Sequence, residues 1–189
     1  MKRRSRSLSL LAMLALTACA GYGLTAATGN AAPPFGSEAD VRYAAQLWNA
    51  LAEQRLVGEH TIVTWPYEGS PPHGAILELY VTKVTIGGHT GTAIIKKNYR
   101  GENLTVEAVA SDPARYLKSI TVMYRRETGY DPDNQNWFWV KYTPDGGLMT
   151  NPKGMKLAGR VAKGAPKGCI ACHSSAPGGD YVYRPIRFE

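Results

Sequence analysis

Cys169, Cys172 and His173 stand together in the run Gly168-Cys169-Ile170-Ala171-Cys172-His173, near the end of a 189-residue chain. The Cys-x-x-Cys-His spacing is the attachment signature of c-type haem. Each thiol can form a thioether to one porphyrin vinyl group, and the adjacent imidazole then serves as an axial ligand of the iron. On a helical turn the three side chains sit at i, i+3 and i+4 and share one face, so a single turn can clamp the macrocycle. A redox dithiol would not require the histidine. A structural zinc site usually needs a second ligand pair, and the only other cysteine, Cys19, lies far away near the N-terminus. The expected cofactor is one covalent haem c, bound by Cys169 and Cys172, with His173 on the iron.

The N-terminus fits that chemistry. Lys2, Arg3, Arg4 and Arg6 precede an apolar stretch, and residues 1–18 read as an export signal. Leu16-Thr17-Ala18-Cys19 resembles a bacterial lipoprotein box, which would make Cys19 the lipidated first residue. Cleavage after Ala18-Cys19-Ala20 is the alternative. Residues 19–36 would then form a flexible tether and residues 37–189 a single haem domain. The expected location is the periplasm, with a lipid anchor to the outer membrane. The formal charge of +7 is misleading, because without the leader's four cations the 22 basic side chains fall to 18 against 15 acidic ones. That balance argues against a nucleic-acid partner.

The residues that must position the motif read as a mainly β (α+β) fold. Residues 37–56 form the one clear amphipathic helix. Ser37 can cap it, the apolar stripe runs through Val41, Ala44, Ala45, Trp48, Leu51, Ala52 and Leu56, and Gly58 is a stop. Residues 61–65, 76–84, 92–99, 104–109, 119–126 and 137–142 are β-rich runs separated by Pro, Gly and Asp turn signals. The implied body is an antiparallel sheet with one N-terminal helix and a C-terminal haem-binding turn. Residues 151–168 read as irregular chain leading into that turn.

Small electron-transfer cytochromes c are mostly helical and carry the motif near the N-terminus, with an axial Met downstream. Here the 16 residues after His173 contain no Met, His or Lys, so any sixth ligand from the protein must lie upstream. Met123, Met149 and Met155 are expected to fill core gaps. His60, His73 and His89 lie beside turn signals and are expected at the surface. Trp137, Phe138 and Trp139 would suit an aromatic wall. Lys153, Lys156, Arg160, Lys163 and Lys167 would pair with haem propionates or dock an acidic redox partner.

Four stretches carry a resemblance to the cytochrome P460 and cytochrome c′-beta family. They are Gly91-Thr-Ala-Ile-Ile-Lys96-Lys97, Tyr130-Asp-Pro-Asp-Asn-Gln-Asn-Trp137-Phe-Trp-Val-Lys-Tyr142, Gly159-Arg-Val-Ala-Lys-Gly164, and Gly168-Cys-Ile-Ala-Cys-His-Ser174 followed by Gly179-Asp-Tyr-Val182. The resemblance implies a mainly antiparallel β fold, a homodimer, and one high-spin haem bound by the motif histidine. In the P460 branch a lysine is cross-linked to the porphyrin and hydroxylamine is oxidised. The c′-beta branch lacks the cross-link and binds nitric oxide at an open iron.

Aligning Gly91 places the lysine of that family at Lys96, as a cofactor-binding residue, with Lys97 as its neighbour. Strand alternation lets only one of the two face the haem. The c′-beta branch caps its iron with phenylalanine, and the candidates here are Phe35, Phe138 and Phe188, with Phe35 in the tether. The P460 branch uses a distal carboxylate for proton transfer. Arg125 and Glu127 are the catalytic candidates for that side, and Glu78 is another. The implied function is an exported mono-haem cytochrome with an open distal iron site, oxidising hydroxylamine or binding nitric oxide, and working with a soluble redox partner. A nitric-oxide binder without turnover and a simple electron carrier are the alternatives.

Overall fold

The structure, a computed structural model, describes residues 33–184. The export signal, the Cys19 lipid site, most of the tether and Phe188 lie outside the described residues.

Six strands form one antiparallel sheet in sequence order: β1 (Tyr67–Glu68), β2 (Ile76–Ile86), β3 (His89–Tyr99), β4 (Leu117–Arg125), β5 (Trp137–Tyr142) and β6 (Ala158–Gly159). Among the described residues four α-helices accompany it, α1 (Glu38–Glu53), α2 (Val106–Ser111), α3 (Pro113–Tyr116) and α4 (Cys169–His173), with a short 3-10 turn at Pro132–Asn134. The mainly β, antiparallel reading of the sequence therefore holds, as do the single N-terminal helix over the sheet and the C-terminal turn.

Ser37 caps α1 with a reciprocal pair of bonds: its side chain accepts from the Asp40 amide, and the Asp40 carboxylate accepts from the Ser37 amide. The buried line of α1 is Ala44, Leu47 and Leu51, at i, i+3 and i+7. This rotates the expected stripe, for Ala45 is exposed and Leu47 is fully buried. The helix packs on β2 and β6, and the Tyr142 hydroxyl donates to the Ala44 carbonyl at 2.7 Å.

Two of the β-rich runs are not strands. Residues 61–65 have no regular structure and expose Ile62, Val63 and Trp65. Residues 104–109 enter α2, because the Thr105 side chain accepts from the Ala108 amide and caps a helix there. Phe35 is not part of a loose tether: it is buried with Ile94, Met123 and Trp139, and the Gly36 amide donates to the Ala158 carbonyl.

Register assigns each side chain to a face of the sheet. Leu79, Lys96, Thr121 and Lys141 are successive cross-strand partners and share one face. Val81, Ile94, Met123 and Trp139 form the next row of that face. Glu78, Lys97, Ile120 and Tyr142 pair across the same strands, one residue along, and face the other way, toward the side that α1 covers. Gly91 opens the Gly-x-x-x-x-Lys run for a steric reason: a Cβ there would sit 2.0 Å from the Arg125 carbonyl oxygen, so only glycine lets β3 and β4 approach at that point.

Candidate haem site

α4 is one helical turn, and it sits against the Lys96 face of the sheet through Ile170, which is buried with Ile94, Met123 and Trp139. Gly168 precedes it at φ +134°, where a Cβ would meet the Ala162 Cβ at 2.4 Å. The Cys172 amide donates to the Gly168 carbonyl at 3.1 Å, and this closes the turn that carries Cys169, Cys172 and His173.

His173 is 7% exposed. Its Nδ1 lies 2.7 Å from the Tyr181 carbonyl oxygen. A carbonyl only accepts, so Nδ1 carries the proton and Nε2 is left bare, the state in which an imidazole can bind a metal. Tyr181 reaches this position at φ +68°, a backbone conformation that costs energy for a side chain of its size. The surrounding segment is tied to the sheet: the Trp137 indole donates to the Asp180 carbonyl at 3.1 Å and the Gln135 amide donates to the Gly179 carbonyl. Trp139 and Tyr183 approach the imidazole edge-on, with centroids 4.9 and 5.5 Å away. Burial holds the imidazole below its usual pKa, partly opposed by the Tyr181 carbonyl.

Two cavities meet at this histidine. One, of 440 Å³, runs along the sheet between Ile94, Met123, Trp139 and Val161. The other, of 600 Å³, opens past the 67–73 loop toward Tyr183 and Arg184. Pro72, His73, Lys96, Cys172 and His173 line both. Lys96 is 9% exposed, and its Nζ has no hydrogen-bond partner among the described residues. Burial pushes its ammonium below the usual lysine range, with a weak opposing pull from Cys172. Burial likewise pushes the Cys169 thiol up.

These residues fit a haem. The walls are apolar, both thiols and the imidazole come from one turn, and Nε2 is unengaged. Trp139 Nε1 is buried in the wall and lacks a partner among the described residues, so the polar rim of a bound group would give it one.

The other candidates fall elsewhere. Lys97 is on the opposite face, 1% exposed, and pairs with the fully buried Glu78 at 3.4 Å. Neither Lys97 nor Glu78 therefore reaches the cavity. Arg125 lines a separate groove, its guanidinium 5.2 Å from the Trp137 ring centre. Glu127 forms an ion pair with Arg126 at 2.6 Å beside the β2–β3 turn. The structure brings neither of these two to Cys169, Cys172 and His173, because the end of β4 lies beyond the cavity row. Phe138 packs under α1. Of the expected basic approach, Arg160 and Lys163 are engaged with buried Asp131, and only Lys167 lines the cavity.

His73 is the group that pattern reading missed. It is half-buried in the cavity rather than at the surface, and burial pushes its pKa down to about 4. Nothing in its local sequence signals this. Only the tertiary fold could have placed it: β2 and β3 pair Leu77 with Asn98, and the chain before β2 then turns so that His73 Nδ1 meets Asn98 Oδ1 at 3.1 Å.

The sequence model of the Cytochrome P460 family matches residues 77–184, from the start of β2 to the segment that steadies His173. No curated protein and no solved structure matches the chain. The family match covers more than half of the chain, and it takes in the sheet face, the Cys-x-x-Cys-His turn and the Tyr181 clamp; the chain belongs to the cytochrome P460 family of haem proteins.

Proposed function

We propose that this chain is an exported mono-haem c-type cytochrome that oxidises hydroxylamine in the cavity shared by Lys96 and His173. In this reading Cys169 and Cys172 hold one haem by thioethers, and His173 Nε2 binds its iron while the Tyr181 carbonyl keeps Nδ1 protonated. Lys96 Nζ is the cross-linking amine: it would replace the hydrogen on a porphyrin carbon, and the two electrons and two protons released would go to an added oxidant of the peroxide class. The observation that carries the reading is that Lys96, Cys172 and His173 line the same two cavities, with the Lys96 amine unpaired and biased toward its neutral, nucleophilic form. The haem iron supplies the redox chemistry and the site at which a small nitrogenous ligand binds. Ile94, Met123 and Trp139 keep water from that site, and Lys167 stands at its rim. Electrons leave to a soluble acceptor. Lipid attachment at Cys19 would hold the domain at the outer membrane, facing the periplasm, and two copies would form a homodimer.

The test is protein matured in a host that attaches c-type haem. Peptide mass mapping should find haem on the Cys169–Cys172 peptide and a further link to the Lys96 peptide, and hydroxylamine should reduce an added acceptor. Replacing Lys96 by Met should keep the haem and change the absorption spectrum. An unmodified Lys96 peptide would leave a nitric-oxide binder. A colourless protein of bare chain mass would end the reading altogether.

A further inference from the structure

The carbonyl that accepts from His173 belongs to a residue at φ +68°, a conformation that a tyrosine does not keep without support. The Tyr181 side chain supplies that support. Its hydroxyl lies 3.3 Å from the Asp133 carbonyl and 3.3 Å from Asn134 Oδ1, both in the 3-10 turn at Pro132–Asn134.

The turn is fixed in its own right by Asp131, whose side chain is fully buried. Asn134 Nδ2 donates to Asp131 Oδ2 at 2.9 Å. A carboxylate only accepts, so the amide orientation is set and Oδ1 is the atom turned toward the Tyr181 hydroxyl. The Asp131 amide donates to Asn136 Oδ1 at 2.9 Å. Lys163 donates to both Asp131 and Asp133. Lys163 stands before the haem turn in sequence and Tyr181 after it. One buried carboxylate therefore ties down both flanks of the segment that carries Cys169, Cys172 and His173.

We propose that Tyr181 is a positioning residue for the iron. Its hydroxyl, held by Asn134 and Asp133, keeps residue 181 left-handed, so that its carbonyl draws on the His173 Nδ1 proton and sets how strongly Nε2 donates to the metal. This rests on the reading that Cys169, Cys172 and His173 carry a haem. It leaves the far side of the iron open, and it assigns control of the metal to a turn outside the cavity.

Three substitutions at one position test this. Tyr181→Phe keeps the ring and loses the hydroxyl. Tyr181→Ala loses both. Tyr181→Gly also loses both, but glycine adopts φ +68° without cost and keeps the carbonyl in place. In haem-loaded protein, the iron–histidine stretching band of the ferrous form, read by resonance Raman, and the reduction potential report the donor strength of His173. Tyr181→Phe and Tyr181→Ala should lower the band frequency and raise the potential, and Asn134→Ala should shift both in the same directions. Tyr181→Gly should stay close to the wild type. A mere loss of packing would move the Ala and Gly variants together, and that result overturns the proposal. So does a Tyr181→Phe protein with the wild-type band and potential. Either outcome leaves the haem reading intact, whereas a wild type without attached haem overturns both.

Discussion

On one face of the sheet, the row Leu79, Lys96, Thr121 and Lys141 borders a cavity; on the other, the row Glu78, Lys97, Ile120 and Tyr142 is closed. Lys96 and Lys97 are neighbours on β3, yet they meet opposite conditions. The Lys97 ammonium donates to Thr61 Oγ1 at 2.7 Å, to the Ile62 carbonyl at 2.8 Å and to the Tyr80 hydroxyl at 3.2 Å, and it faces the Glu78 carboxylate. Burial depresses its pKa, but Glu78 pulls it back. Lys96 is buried to a similar degree without acid or acceptor. A buried amine with a full set of partners holds structure together. A buried amine without them is available for chemistry, and a one-residue step along a strand is enough to separate the two roles.

The sharpest way to break this contrast is Lys97→Met. It would strand the Glu78 carboxylate in a closed interior and should cost about 3–5 kcal/mol in denaturant unfolding. Haem attachment in the surviving folded protein should be unchanged. A loss below about 1 kcal/mol would mean that Lys97 is not structural. Leu47→Ala comes next. It empties the centre of the α1 interface on the same face and should cost about 2–4 kcal/mol, again without a spectral change.

Lys96→Met should behave in the opposite way. Removing an unpartnered buried amine should alter stability by no more than about 1 kcal/mol, while the absorption spectrum of the haem-loaded protein changes. If Lys96→Met unfolds the protein as Lys97→Met does, the division between the two faces is wrong.

The smallest effect is expected of Glu127→Gln, near 0.5 kcal/mol, because the Glu127 side chain is 46% exposed. The hydrogen bond from Arg126 holds the Glu127 carboxyl below its usual range. The folded form therefore binds its proton less readily than the unfolded chain. Its contribution is present above the ordinary glutamate pKa and fades as the pH falls through the lowered value. Wild type and Glu127→Gln should differ in melting temperature at pH 7 and converge in acid.

Much of this was legible because it is local. The Cys-x-x-Cys-His spacing, the Ser37 cap and the alternation that turns Lys96 and Lys97 to opposite faces each lie within a few residues. The four long β runs emerged as β2 to β5 for the same reason. What stayed hidden depends on partners distant in sequence. Thr105 could cap a helix or sit in a strand, and β propensity favoured the wrong state. Glu78 read as a candidate distal carboxylate because nothing nearby discloses that Lys97 would come to lie across from it and take it into the closed face. His73 follows a Pro-Pro turn, which argues for the surface, until β2 and β3 pair and bring Asn98 alongside.

The acceptor for His173 lies eight residues past the motif, in a segment stitched to the start of β5 through Gln135 and Trp137. The motif is consequently not a portable module. A chain cut after Ser175, or a graft of residues 168–173 into another host, would keep every atom needed for covalent attachment. It would lose the carbonyl that selects the imidazole tautomer and, by drawing on its N–H, makes the ring a stronger electron donor. Such a graft would be coloured but would have a shifted redox potential.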